Sequence, residues 1–315
     1  MRGRGSRSEL SSYLIVGMQG GIGNRLFQYA AALTVAERLD VAVRYVEVPT
    51  RTGSLSLSEF LDPPIAAPTR RQRALLLEPL GLSPALGALF AATRRVPGLS
   101  TLSAGHRLVQ SHLPEAAYEG GQRVGALQTP ALMWGYFQHP DFFEATIDRV
   151  VDQILAVMPK VVRDHPLDPS TLVLGIRRGD FVSLGLSLPF SYYESALEVL
   201  GAGPGSSVRV LGDDREFNHL VEALLLERGY RVLPAAYPEL SPLLADFWTM
   251  ATSRDTIIPD STFAWWANIV GDHLSPDTER KVVCPPANQT GYHHEYLVWP
   301  GWHQLASVDS DKWDH

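Results

Sequence analysis

The chain has 315 residues, 45% of them apolar and 19% charged, the balance of a soluble globular protein with room for two domains of ordinary size. Its net charge is 27 − 34 = −7, which leaves no broad basic field for nucleic acid, although a local arginine cluster can still hold a phosphorylated small molecule. The single Cys284 excludes an internal disulfide, suits a reducing compartment and reads as a core residue in Val282-Val-Cys-Pro285. The basic start, Met1 to Leu10, reads as a disordered tail rather than a signal peptide, and the absence of any run of about 18 apolar residues argues against a spanning helix. A cytoplasmic protein is expected.

Ser12 to Met18 is the first predicted strand. It runs into the glycine turn Gln19-Gly-Gly-Ile-Gly-Asn24, a helix over 25–39 with apolar residues on a helical period, and a strand over 41–48. Strand, glycine turn, helix and strand make a parallel βαβ unit. Three readings of the turn stay open. Gly21 and Gly23 match the first two glycines of a dinucleotide fingerprint, with Glu47 closing the second strand, but Leu26 holds the third glycine position. Alternatively, Asn24 supplies an amide to a substrate, or it simply caps the helix. Residues 50–130 are cut by prolines into short helices and loops, and five arginines between 70 and 95 make the stretch locally basic. Met133 to Phe143 reads as a strand ending in a loop, where Gln138 and His139 could touch a sugar. An amphipathic helix follows over 147–157.

The polar segment 160–170 is the expected boundary between domains over 12–160 and 165–300. Beyond it, strands at 171–176, 207–211, 231–233, 255–258 and 281–284 alternate with helices, as in a doubly wound fold. Three strand ends carry polar groups on one predicted edge: Arg177-Arg-Gly-Asp180, Asp213-Asp214 and Asp260-Ser-Thr262. Ligands bind at the carboxyl ends of parallel strands. Guanidinium forks match phosphate oxygens, and a helix starting near Ser261 presents amides to an anion. A carboxylate of the Asp213-Asp214 pair can accept the two neighbouring N–H donors of guanine. Together they describe a nucleotide site. No third carboxylate or His sits at metal-ligand spacing, so no metal is expected.

Gly20-Gly-Ile-Gly-Asn-Arg-Leu-Phe-Gln-Tyr-Ala30 resembles the opening signature of the α-1,2-fucosyltransferases (glycosyltransferase family 11). Gly135-Tyr-Phe-Gln138, Ile176-Arg-Arg-Gly-Asp-Phe181, Leu211-Gly-Asp-Asp214 and Ile257 to Ala267 resemble its later blocks, in the same order. The resemblance implies a GT-B-like α/β architecture, two Rossmann-like domains facing a cleft, with an N-terminal acceptor side and a C-terminal donor side. It implies an inverting transfer of L-fucose from GDP-fucose to a glycan hydroxyl, the 2-hydroxyl of a galactoside, with no required metal. Arg177 would hold the diphosphate and stabilise departing GDP, with Arg178 beside it. Ser261, Thr262 and Phe263 would line the donor phosphates and base, Asp213 or Asp214 would read guanine, and Asn24 beside Gly21 and Gly23 would face the reacting sugar. Asp180 would act as base or orient the arginines. The expected partners are GDP-fucose and a galactose-containing acceptor, with no nucleic acid and a peripheral membrane contact left open. The chain departs from the family at Gly175, where a His is usual, at Arg25-Leu26, where Gln-Met is usual, and at Phe181 for Tyr. A GDP-sugar-binding protein without turnover and, further off, an NAD-type oxidoreductase are the rivals.

Overall fold

The computed structural model describes residues 13–47, 56–61, 107–111, 131–165, 170–276, 279–286 and 297–306. The chain divides into two compact units, Met1–Val150 and Val151–His315, each an α/β body with a parallel sheet.

In the first unit, β1 (Tyr13–Met18), β2 (Ala42–Glu47), β3 (Arg107–Ser111) and β4 (Ala131–Gly135) form a sheet in the order β2-β1-β4-β3. Every pairing in it is parallel. Between β1 and β2 runs α1 (Ile22–Leu39), whose residues 25–36 are all buried. Such burial on all sides suits a helix held between a sheet and further chain. The helix starts three residues earlier than its periodicity indicates, so Asn24 lies inside it and Gly21 takes the N-cap. The capping reading of Asn24 is therefore corrected. β4 leads through residues 136–139 into the short α2 (Pro140–Phe143), a single 3₁₀ turn (Glu144–Thr146) and α3 (Ile147–Ala156). A 3₁₀ turn also covers Leu57–Glu59. β3 lies in the region expected to hold only helices and loops, a second correction.

After α3 and α4 (Lys160–Asp164), the second unit builds a six-stranded parallel sheet from β5 (Thr171–Ile176), β6 (Ser207–Gly212), β7 (Arg231–Val232), β8 (Asp255–Ile257), β9 (Lys281–Cys284) and β10 (His303–Gln304). Its order is β7-β6-β5-β8-β9-β10, the doubly wound arrangement in which the chain works outward from the centre twice. The helices are α5 (Gly179–Leu184), α6 (Phe190–Val199), α7 (Arg215–Glu227), α8 (Pro242–Thr252) and α9 (Thr262–Leu274). All six residues of β5 are buried, as a central parallel strand covered on both faces requires. The sheet does not end at β9, as expected, because His303 and Gln304 add an edge strand against Val283 and Cys284.

Two devices hold this unit's strand ends. The buried Tyr192 hydroxyl donates to the carbonyls of Ile258 (2.5 Å) and Val283 (3.2 Å), which ties α6 to the exits of β8 and β9. Arg280 donates to the carbonyls of Met250 (3.3 Å) and Ala251 (3.2 Å) and to Asn268 Oδ1 (2.9 Å), pinning the end of α8 to α9. Trp265 serves the core: its indole N–H donates to the Leu297 carbonyl at 2.7 Å, and its ring meets those of Trp299 and Trp302.

The α8–α9 contact is close at Gly271, where a Cβ would sit 1.3 Å from Arg280 Nη1 and 2.5 Å from the Ala251 carbonyl oxygen. Arginine could move aside, but the backbone oxygen cannot. Gly271→Ala is therefore expected to destabilise the second unit by about 1–3 kcal/mol, read as a lower thermal midpoint. Gly203→Ala, where an added Cβ meets nothing within 4 Å, serves as the control.

Candidate functional site

In the second unit the winding reverses between β5 and β8, and a crevice opens beyond their carboxyl ends at such a reversal. The chain leaves β5 into Arg177 and Arg178. Arg177 Nη2 donates to Asp180 Oδ1 at 2.6 Å, and its Nη1 donates to Asp213 Oδ2 at the end of β6. Asp213 Oδ1 also accepts the backbone N–H of Arg178 at 2.9 Å. One carboxylate thus fixes both the guanidinium and the chain that carries it. Gly179 makes the approach possible, since a Cβ there would lie 2.5 Å from Asp213 Oδ2. Among the described residues two of the five guanidinium donors are used, and the Arg177 side chain keeps 36% of its surface exposed, so it can engage an anion as well.

Arg178 is more firmly fastened. Its Nε donates to Asp214 Oδ2 at 3.3 Å, and its guanidinium carbon lies 3.8 Å from the Phe217 ring centre, a cation–π contact. Asp214 Oδ1 accepts the N–H of Phe217 at 3.1 Å, so Asp214 is the N-cap of α7. Rather than leading into a plain loop, Gly179 and Asp180 open the short α5, where the Asp180 carbonyl accepts from the Ser183 hydroxyl at 2.8 Å.

Across the reversal, β8 leads through Pro259 and Asp260 to Ser261, the N-cap of the 13-residue α9, whose hydroxyl makes no cap bond. Thr262 begins that helix, and the Phe263 ring packs against Phe247 of α8 at 5.6 Å. The start of a helix this long carries partial positive charge and amide donors suited to an anion. The sequence-predicted residues of the second unit therefore lie at the ends of β5, β6 and β8, which are adjacent strands in the order β8-β5-β6.

One group at this edge escaped the sequence reading. Asp246, on α8 between the buried Ala245 and Phe247, has no hydrogen-bond or ion-pair partner among the described residues. Burial, and then the nearby charge of Asp213, push its carboxyl up to about 7. No motif marks it; its meaning comes from Asp213, which only the fold brings near. Gly175 is explained by the same helix, because a Cβ there would meet Met250 Cε at 2.7 Å and Pro259 Cδ at 3.1 Å. The Met250 thioether and the Pro259 ring fill the space that a side chain at 175 would need.

Asn24, Gly21 and Gly23 belong to the first unit. The left-handed conformation of the turn falls on Gly20 (φ +77°), while Gly21 borders open space and Gly23 is buried in the first turn of α1. Asn24 Oδ1 accepts from Gln138 Nε2 at 3.0 Å. Glu47, the acid that the dinucleotide reading needs, accepts from the backbone N–H of Leu57 (2.7 Å) and the Ser56 hydroxyl (3.0 Å) and pairs with the buried Arg25 at 3.4 Å. Among the described residues no cluster of three or more His, Cys, Asp or Glu could hold a metal ion, and no helix is long and apolar enough to cross a membrane.

No family model matches the chain. It is 26% identical over 317 residues to the O-antigen biosynthesis glycosyltransferase WbnK of Escherichia coli, an alignment covering 91% of this chain and 99% of that protein. Among solved structures, it is similar to a GDP complex of an Arabidopsis thaliana FUT1 variant, with TM-score 0.49 and 13% identity over 86% of this chain and 70% of that one. It is also similar to the fucosyltransferase NodZ from Bradyrhizobium (0.43 and 14%, over 82% and 92%) and to E. coli ADP-heptose LPS heptosyltransferase II (0.42 and 13%, over 93% and 90%). With TM-scores below 0.5, these structural likenesses carry no weight for the chemistry.

The half-buried Asp246 carboxyl sets a pH dependence. It holds its proton up to about pH 7, whereas an ordinary carboxyl loses it near 3.8. Folding therefore takes up a proton between these values, and stability falls as pH rises through that window. Asp246→Asn, neutral throughout, should melt higher than the parent at pH 8, with the gain vanishing towards pH 4 in thermal melts. An unchanged midpoint at pH 8 would show that ionising this carboxyl in the folded chain carries no cost, and so that burial does not raise it.

Proposed function

We propose that the protein is a glycosyltransferase that moves L-fucose from GDP-fucose to a glycan hydroxyl, the 2-hydroxyl of a galactoside, with inversion and without a metal. The observation that carries this reading is Arg177, held by Asp213 and Asp180 at the winding reversal, in the unit where α9 also begins. The five ordered sequence blocks and the alignment along nearly the whole of an O-antigen biosynthesis glycosyltransferase support the same class.

In this reading Arg177, the Ser261 hydroxyl and the positive start of α9 hold the diphosphate. Breaking the bond between fucose and the β-phosphate oxygen leaves an added negative charge on GDP. A guanidinium already locked by two carboxylates stabilises that charge without having to reorganise, which is where electrostatic catalysis is strongest. Arg178, stacked on Phe217 and bonded to Asp214, keeps this loop in shape. Asp213 and Asp214 were the expected readers of guanine, but both are occupied by the arginines and by the α7 cap. Asp246 is better suited, since its ionised form can accept the two adjacent N–H donors of that base. The acceptor sugar belongs to the first unit, with Asn24 contacting it.

The crowding at Gly175 favours one variant of this reading, a transferase whose donor or acceptor differs from the family's usual one. The oxidoreductase reading loses ground, because Glu47 is spent on Arg25 and on the 56–57 turn.

Arg177→Ala should lower fucose transfer from GDP-fucose to a β-galactoside by at least about 100-fold, the scale of losing one preorganised charge-stabilising group. Its far-ultraviolet circular dichroism should match the parent's. Near-normal turnover by this variant would contradict the assignment.

A further inference from the structure

Gln28 stands in the opening sequence block, yet no step of the proposed chemistry uses it. It is fully buried on α1, where an apolar side chain would serve packing as Phe27, Ala32 and Val35 do. A buried amide is costly unless both its ends are bonded. Both are. Gln28 Oε1 accepts the backbone N–H of Gln19 at 2.9 Å, and Nε2 donates to the Gly135 carbonyl, also at 2.9 Å and across 107 residues of chain. β1 and β4 are parallel neighbours, with Val16 opposite Met133, so Gln19 and Gly135 stand at adjacent carboxyl ends. Ligands of α/β folds gather at such ends.

The same two exits hold the unusual backbone of this unit. Of its described residues, Gly20 (φ +77°), Asp40 (+51°), Gly135 (+153°) and Phe137 (+53°) are those with positive φ. Asp40 ends α1, whereas the other three lie at, or within two residues of, the groups that Gln28 joins. Phe137 is the most constrained, since bulky residues avoid that region of backbone space and its ring is buried against Phe142. Such strain persists only where the surroundings enforce it, and it collects at functional sites.

We infer that Gln28 is a positioning residue for the acceptor: it locks the glycine turn and the 135–138 segment into one fixed edge on which the acceptor sugar rests. The inference rests on the reading that the acceptor belongs to the first unit, and it asks nothing of the donor side.

Gln28→Met keeps the length and removes both bonds. Transfer from GDP-fucose is measured against β-galactoside concentration, together with GDP affinity, GDP release to water without acceptor, and thermal midpoint. In Gln28→Met, kcat/KM for the galactoside should fall about 10–100-fold, the scale of a small misplacement of a reactant, with GDP affinity and release to water as in the parent. Gln28→Glu keeps the test open if Gln28→Met folds poorly. Its protonated carboxyl repeats the amide pattern, donating to Gly135 and accepting from Gln19, and burial favours that form. At about pH 5 it should therefore transfer nearly as well as the parent at the same pH. Parent-like acceptor kinetics in Gln28→Met, an equal loss on donor and acceptor sides, or a Gln28→Glu no better than Gln28→Met at that pH would overturn the inference and leave the transferase reading intact. A parent chain that transfers nothing to the galactoside would overturn both. Independently of turnover, the Gln19 amide should be protected from hydrogen exchange in the parent and lose that protection in Gln28→Met, with the α1 amides unchanged. A Gln19 amide still protected in Gln28→Met would end the claim whatever the donor sugar.

Discussion

The second unit is organised around the grip of Asp213 on the end of β5. The carboxylate takes the Arg177 guanidinium on one oxygen and the Arg178 backbone N–H on the other. It therefore joins two adjacent strand ends and fixes the direction in which the chain leaves the sheet. As a partly exposed ion pair it adds little to stability. Its value lies in preorganisation, because a cation fixed before the ligand arrives loses little rotamer freedom on binding. The neighbouring residues follow from this. Gly179 must lack a Cβ so that the carboxylate can approach, and Asp214 fastens Arg178 while capping α7. Asp246, desolvated by its surroundings and then lying near the charge of Asp213, keeps its proton up to about pH 7.

The first unit uses neutral groups for a comparable task. Gln28 bridges the exits of β1 and β4, and Gln138 reaches Asn24 over the glycine turn. Amides suit such a place, since each offers both donor and acceptor and carries no charge to desolvate. The two units thus present polar groups at the carboxyl edges of parallel sheets by different means, an ion-pair lattice in one and an amide lattice in the other.

Alternation of strand and helix was legible because central parallel strands such as Thr171–Ile176 read as short apolar runs punctuated by glycine and acid. The strand-end clusters at 177–180, 213–214 and 260–262 were legible for the same reason, since they interrupt an apolar pattern at one edge. The short α5 was not, as Gly179 and Asp180 look like a loop and no apolar period marks so few residues. The two-residue β10 carries no pattern at all. Asp246 was hidden most completely: within Ala245-Asp-Phe247 it resembles one polar residue on an amphipathic helix, and only the fold shows that it lies near Asp213 with no hydrogen-bond or ion-pair partner among the described residues. The Asn24–Gln138 bond likewise depends on the β1–β4 pairing. Local pattern registers neighbours along the chain, whereas these contacts follow from the order of strands in a sheet.

The most direct measurement is calorimetric titration of the intact chain with GDP, ADP and UDP in the presence of a chelator. The account predicts that GDP binds selectively without metal, through Arg177 and the start of α9 for the diphosphate and Asp246 for the base. No binding, or equal binding of all three nucleotides, would show that these residues do not form a guanine nucleotide site, and would contradict the assignment of GDP-fucose as donor.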